Sequence, residues 1–413
     1  MKKALNIPVA DGITRREGLI TLLGGAMALA GCGGGGGGGL AGVSSGGTGS
    51  FSSGPITGFG SIIVGGIRFD DSTARTILDV DDDNKDLRGN LKLGMMVKVK
   101  GKPINALRAE AETIEVRSEL LGPIDSIPSP QNTPPTLMVL GQTVQITATT
   151  IFEEGLTGLA ALVVGDIVEV HGFVDPLTNR LTATRVERKL LINVKAFKLQ
   201  GTLSALDTTA QTFKIGTLTI GFAPPVDIPT SLVLANGLLA RVRLATTPAT
   251  GTRKAIKIRA VEAEIEVEDR NEAEIEGTIT AFTSTSKFSV NGQPVDASSA
   301  VFSNGTAGIV LGARVEVEGS LVKGVLVAKK VELKDEKDEH DPLKFELHGT
   351  ISGLNTTAKT FVLRGITVNY SATSDIRPAG KTVANLVNGV SVEVKGVAST
   401  DGTKVNATRI SFD

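Results

Sequence analysis

The chain has 413 residues, 41% of them hydrophobic and 21% charged, with a formal net charge of −1; it is long enough for several small domains and has the balance of an ordinary globular protein. That charge builds no basic field of the kind phosphate backbones require, and with 4% aromatics, no Trp and one Tyr, stacking platforms for bases or sugars are scarce. No apolar run reaches the roughly 18 residues that a membrane-spanning helix needs.

Residues 1–32 read as a targeting segment. Arg15-Arg16 follow Thr14 and precede a weakly hydrophobic, glycine-containing stretch over 18–29. This resembles a twin-arginine export signal, although Gly18 stands where such signals carry a bulky apolar residue; a general secretory route is the alternative. Leu29-Ala30-Gly31-Cys32 resembles a bacterial lipobox, which implies that Cys32 is diacylated on sulfur and becomes the mature N-terminus. The plainer reading is a lone buried cysteine, but Cys32 is the sole cysteine and ends the apolar stretch. A mature chain starting there has no disulfide and rests on packing alone. It carries a charge of about −3, because Lys2, Lys3, Arg15 and Arg16 leave with Asp11 and Glu17. Residues 33–53, opening on a glycine tract at 33–39, form a flexible Gly/Ser-rich tether with an r.m.s. span of roughly 25 Å. No strand precedes the tract and no helix follows it, so it is not a phosphate loop. Gly33 in place of Asp points, by Gram-negative sorting rules, to the outer membrane.

Five repeats follow, at 54–118, 119–190, 197–268, 272–334 and 345–413. Their glycine-containing first strands start at Gly54, Gly122, Gly201, Gly277 and Gly349, roughly 70–80 residues apart, which is about one small domain per copy. A hairpin comes next, turning at Gly65-Gly66, Leu140-Gly141, Gly216-Thr217, Asn291-Gly292 and Arg364-Gly365. Asn-Gly is the pair that a two-residue type I′ turn prefers. Around the turns, Ile62, Leu137, Phe213, Phe288 and Phe361 occupy one apolar position; Val64, Val139, Ile215, Val290 and Leu363 occupy the next at period two. These are inward strand positions, so the phenylalanines read as core and not as ligand platforms.

A connecting stretch with room for one or two helical turns then leads to a signature strand, G-x-x-V-x-V-x-G: GMMVKVKG at 94–101, GDIVEVHG at 165–172, GARVEVEG at 312–319 and GVSVEVKG at 389–396. In the third copy LARVRLAT at 239–246 reads as a degraded version, with Leu239 and Thr246 in the glycine places. A last strand closes each unit. The order β-β-β-(short helix or loop)-β-β predicts an all-β chain: a tandem array of about five small, five-stranded, OB-like β-barrels, with a plain barrel of other connectivity as the alternative. The strictly alternating 261–268 predicts a strand with one acidic face, and the charged, Pro-ended 334–342 a linker, giving a string of barrels with limited hinge freedom there.

No catalytic, cofactor or metal site emerges. Outward signature positions change sign between copies (Lys98, Glu169, Arg243, Glu316, Glu393, then Lys100, His171, Ala245, Glu318, Lys395), as a solvated face does. His171 therefore reads as solvent-facing; His348 and His340 are dispersed, and with no free thiol a triad or zinc site is not expected. Asp79, Asp81 and Asp83 have the D-x-D-x-D spacing of a calcium loop, yet Asn84 and Asn90 replace its turn glycine and bidentate glutamate. A solvated acidic loop is the reading favoured over Ca²⁺. Gly58-Phe59-Gly60 precedes a strand and is no nucleotide fingerprint.

The lipobox-like start, the tether and the repeated G-x-x-V-x-V-x-G strands together resemble the bacterial domain of unknown function 5666, over roughly 54–413 and most weakly in copy three. The resemblance implies a secreted or envelope-anchored β-rich protein without established chemistry. The expectation is a non-catalytic structural or binding module, held to the membrane through Cys32. Its partner would be an envelope polysaccharide or protein, not a nucleic acid; an oligosaccharide-binding role for one barrel face is the alternative, and a hydrolase the least favoured.

Overall fold

The computed structural model describes residues 50–412 apart from 60–61, 66, 73, 80–84, 88–89, 106–107, 129–133, 154, 248–250, 262–268, 335–343, 364–365 and 399–403. The described residues are all-β, with no α-helix among them. Where the connecting stretches predict helical turns there are single 3-10 turns, at Leu159–Ala161 and Val383–Asn385.

The second copy shows the unit. Its strands are Leu120–Ser126, Thr136–Val139, Gln142–Gln145 continued by Ile151–Phe152, Ile167–Val174 and Leu181–Lys189. First, second and third strands pair antiparallel in succession. The third lies parallel to the fifth, with Val144 beside Leu181 and Ile151 beside Arg185. The fifth is antiparallel to the signature strand, which returns antiparallel to the first. The ring therefore closes in the order 1-2-3-5-4-1. The parallel closing pair recurs at Phe69 and Ala109, Thr219 and Thr252, Val295 and Leu326, and Val368 and Val405. Alternate residues point in: Leu137, Val139, Val144, Val168, Val170, Leu181 and Val186 are fully buried, as period-two patterning requires. The aligned phenylalanines Phe213, Phe288 and Phe361 are likewise core.

The glycines of the signature have two different jobs. The opening ones, Gly94, Gly165, Gly312 and Gly389, have φ of 78, 93, 85 and 90° and turn the chain into the strand. The closing ones do not turn it. Each lies at a register shift against the fifth strand, following Lys100, His171, Glu318 and Lys395. There a Cβ would sit 2.0–2.4 Å from a backbone carbonyl oxygen, of Thr182 in copy two and Glu110 in copy one. They are bulge glycines that admit close backbone approach.

Copy three needs a correction on this basis. Gly237 has the positive φ, and its amide donates to Leu203 O, as those of Gly94 and Gly165 donate to Ile56 O and Ile124 O. Gly201 faces Ala240 where Gly54 faces Val97, and the bulge falls between Arg243 and Leu244. The signature therefore runs 237–244, two residues earlier than composition predicts. Leu244 replaces only the bulge glycine, and the outward pair is Arg241 and Arg243. The slip of two was invisible to a period-two pattern because it keeps every residue on its face.

The barrels are not strung in sequence order. The first strand of barrel one starts at Ser50, inside the stretch assigned to the tether, and Ser50–Ser53 pair parallel with residues 272–275 of barrel four. Phe51, 1% exposed, enters barrel four's core. Gly58 and Phe59 pair parallel with Glu346 and Leu347 of barrel five, and the two barrels share one core. Leu120 and Leu121 of barrel two pair antiparallel with Leu199 and Lys198 of barrel three, again over a common core. Each pairing joins a first strand to a first strand, covering the edge that a partly open barrel leaves unpaired. Barrels one and two meet through Thr184 Oγ1 donating to Gly94 O at 2.7 Å, and barrels two and four through the Arg314 guanidinium 4.1 Å over the Phe173 ring. In place of the expected string, the barrels form one compact body, and all of the expected linker at 334–342 but Lys334 lies outside the described residues.

Candidate functional site

Because barrel two is flanked by barrels one and three, its whole signature strand is buried, outward residues included. His171, expected at the surface, is 1% exposed. Its Nδ1 lies 2.8 Å from Arg117 O and 3.3 Å from Met96 N, and the shorter contact assigns the proton to Nδ1, donating to the carbonyl. Burial lowers its pKa, against the pull of Glu169 and Glu187, so it is neutral at physiological pH. Glu169 accepts from Ser118 Oγ at 2.7 Å and pairs with Lys189 at 2.9 Å and Lys198 at 3.5 Å. Burial would raise its pKa; the two lysines instead hold it far below the usual carboxylate range. Glu187 pairs with Arg185 and, at 2.5 Å, with Lys189. Arg185 Nη1 donates to Leu93 O of barrel one at 3.2 Å, and Glu119 Oε2 accepts from Gly172 N at 2.9 Å. These groups satisfy one another and so form an interbarrel clasp.

Beside the clasp opens a cleft of about 520 Å³ on barrel three's outward face, within the roughly 300–1,000 Å³ usual for ligand sites. Its walls carry Arg117, Lys198, Arg241, Arg243, Lys257 and Arg259 against one carboxylate, Glu119. Strand register makes this cluster: Lys198 lies opposite Arg243 and Arg243 opposite Lys257, while Gln200 lies opposite Arg241 and Arg241 opposite Arg259. Like charges directly opposite one another destabilise a sheet. Nearby carboxylates offset part of this. Arg259 pairs with Asp227 at 2.6 Å, Arg117 with Glu115 at 3.0 Å, Lys198 with Glu169, and Arg241 with Glu119 at 3.8 Å. A smaller cavity of about 80 Å³ adjoins it, where Met96, Gly172, Val261 and Asn291 bring four barrels together.

The family model described as Domain of unknown function (DUF5666) matches residues 53–115, 122–187, 276–332 and 348–411, together more than half of the chain. The chain belongs to the DUF5666 family. Each matched DUF5666 segment starts at or next to a first-strand glycine and ends in the fifth strand, so one match is one barrel. The barrel without a match is the third, where Leu244 stands at the bulge. No curated protein matches this chain.

Of the residues singled out from sequence, Cys32 and the rest of the targeting segment lie outside the described residues, as do Asp81 and Asp83, the acidic 262–268 and His340. The flanks of the acidic loop, Thr76–Asp79 and Lys85–Asp86, pair as a short antiparallel ladder. His348 lies opposite Glu393, as Leu121 lies opposite Glu169 and Gln200 opposite Arg241. Among the described residues no three His, Cys, Asp or Glu side chains converge as a metal site. The basic cleft of this DUF5666 chain was missed from sequence. Its signal was present in the period-two cations Arg241, Arg243, Lys257 and Arg259, but comparison of copies reads variable charge as solvated surface, and the misplaced register hid Arg241.

Proposed function

We propose that this chain is an exported, lipid-anchored cell-envelope protein whose five OB-type barrels form a non-catalytic binding module. The observation that carries the anchor is Leu29-Ala30-Gly31-Cys32, holding the sole cysteine and followed by a Gly/Ser-rich tether. The OB-type reading is supported by the 1-2-3-5-4-1 ring with its parallel closing pair. The non-catalytic reading is supported by the place of His171, Glu169 and Glu187, whose shifted protonation serves the clasp between barrels and not an open cleft. In bacterial cells, labelled fatty acid is expected to enter the full chain and to be lost in Cys32→Ala; label that persists in Cys32→Ala contradicts the anchor.

A second reading, an oligosaccharide-binding envelope protein, is favoured by the cleft on barrel three. Its surface mixes aliphatic walls at Pro229 and Leu232 with the exposed hydroxyl of Ser231. The full chain is expected to retain a subset of glycans on an array, and an array without retained glycans contradicts this reading.

A further inference from the structure

We propose that the exposed end of barrel two, formed by Val163, Val164, Leu190, Leu191 and Ile192, rests in the headgroup layer of a lipid bilayer. The inference takes its membrane from the anchored reading above and adds how the folded body meets it. Two loops make this end. Ile167 lies opposite Lys189 at the last rung of the signature and fifth strands, so the residues before 167 and after 189 leave the ladder side by side. Asp166 and Arg188 fasten the first loop. Asp166 Oδ2 accepts from Val163 N at 3.0 Å and lies 3.4 Å from Arg188 Nε, while Arg188 Nη2 donates to Ala161 O at 2.5 Å. The second loop is a 3-10 turn, in which Asn193 N and Val194 N donate to Leu190 O and Leu191 O at 2.9 and 3.0 Å. Both loops are thus held in place by hydrogen bonds.

Other residues of the loops do the packing. Leu162 is buried, and Val194 lies against the core shared by barrels two and three. Ile192, by contrast, is 90% exposed, and the other four are 51–68% exposed. Chain continuity does not ask for them, since Ser118 and Glu119, both buried, stand at the matching places after barrel one's fifth strand. An exposed apolar patch of this kind marks a contact with a protein or a membrane. Its composition favours the membrane. Hot spots between proteins are mostly Trp, Tyr and Arg, with Leu and Val under-represented, whereas this patch is wholly aliphatic and residues 190–194 carry no charge. A fluid lipid layer takes such side chains without needing a matching pocket. The second argument is the chain that precedes Ser50. A Gly/Ser-rich stretch as long as 33–49 spans roughly 20–25 Å r.m.s., so an anchored body stays within reach of the bilayer. Weak apolar contact is then sustained by high local concentration.

The test is fluorescence on the full chain carrying Cys32→Ala, in which one introduced thiol takes a polarity-sensitive dye. The dye sits at Asn193→Cys beside the patch, or at Ser299→Cys on barrel four as the control, and vesicles of phosphatidylethanolamine and phosphatidylglycerol are added. The expected result is a blue shift at 193 and none at 299. Leu191→Ser with Ile192→Ser is expected to weaken vesicle partition by about ten-fold or more, as the loss of two exposed aliphatic side chains predicts. Val163→Ser with Val164→Ser is a second pair, on the other loop, expected to weaken it as well. Emission at 193 that ignores the vesicles, that shifts equally at 299, or that neither serine pair changes overturns the proposal. So does a shift that follows protein concentration without vesicles, which makes the patch a contact between copies. Because the dye-labelled chain lacks Cys32, the two readings separate. Fatty acid entering at Cys32 with no shift at 193 keeps the anchor and removes the membrane-facing end. A shift at 193 with no fatty acid entering keeps the membrane-facing end and removes the anchor.

Discussion

At Gly172 the methyl group of an alanine would sit 2.0 Å from Thr182 O, closer than any relaxed contact permits. Gly172→Ala is therefore expected to destabilise the body by about 1–3 kcal/mol through overpacking, read as a lower denaturant midpoint; an unchanged midpoint would mean the bulge relaxes freely. Copy three supplies the converse. Leu244 holds the same bulge position, is fully buried, and fills the core shared by barrels two and three. Leu244→Gly restores the family pattern yet is expected to cost about 2–5 kcal/mol, because a cavity replaces the side chain. His171 gives a pH signature. Its folded pKa lies below the usual histidine value of 6.5, so the unfolded chain binds more protons below that pH. Stability is present above about pH 6.5 and falls as pH drops below it. His171→Gln, which retains a donor for Arg117 O, is expected to flatten the thermal midpoint over this window; an equal acid slope in both proteins would assign the slope elsewhere. The inward residues behind these effects were legible in sequence from period two, but the burial of His171 was not. Its strand pattern is that of a solvated face, and only a neighbouring barrel reverses it.

At the scale of elements, the first strand does most to organise the molecule. Its edge pairs barrel one with four, one with five and two with three. In the first of these, Glu274 is packed between barrels, with its carboxyl carbon 2.8 Å from where a Cβ on Gly65 would stand. Burial, and then the neighbouring Glu316, Glu318 and Glu276, push its pKa up to about 9. The folded chain thus keeps a proton that the unfolded chain loses above the usual carboxylate value of 4.5. The linked stability falls as pH rises from about 4.5 to about 9. Glu274→Gln is expected to raise the thermal midpoint near pH 8 and to leave it unchanged near pH 4.5. A gain of equal size at both pH values would contradict a protonated Glu274. Strand order within a barrel was readable from turn glycines and alternation. The edge pairings were not, because Ser50–Ser53 have the composition of a tether, yet they pair on one side with residues 98–101 of their own barrel and on the other with residues 272–275.

For the whole molecule, the consequence is that a tandem repeat has folded into one body, with barrel one touching two, four and five and barrel three joined to two. Sequence repetition argues for like units but says nothing about their contacts, since the junctions in the chain are not the junctions in space. The absence of any cysteine after Cys32 makes these contacts directly measurable. Ser52 and Glu274 are parallel partners, and neighbouring strands lie about 4.8 Å apart, within the span of a disulfide. In a Cys32→Ala chain, Ser52→Cys together with Glu274→Cys is expected to form an intramolecular disulfide under mild oxidation. It should appear as a faster-migrating band on non-reducing gels, with labelling of both thiols lost. Two thiols that stay free, or that link only between chains, would contradict the packing of barrel one against barrel four, and with it the single body described above.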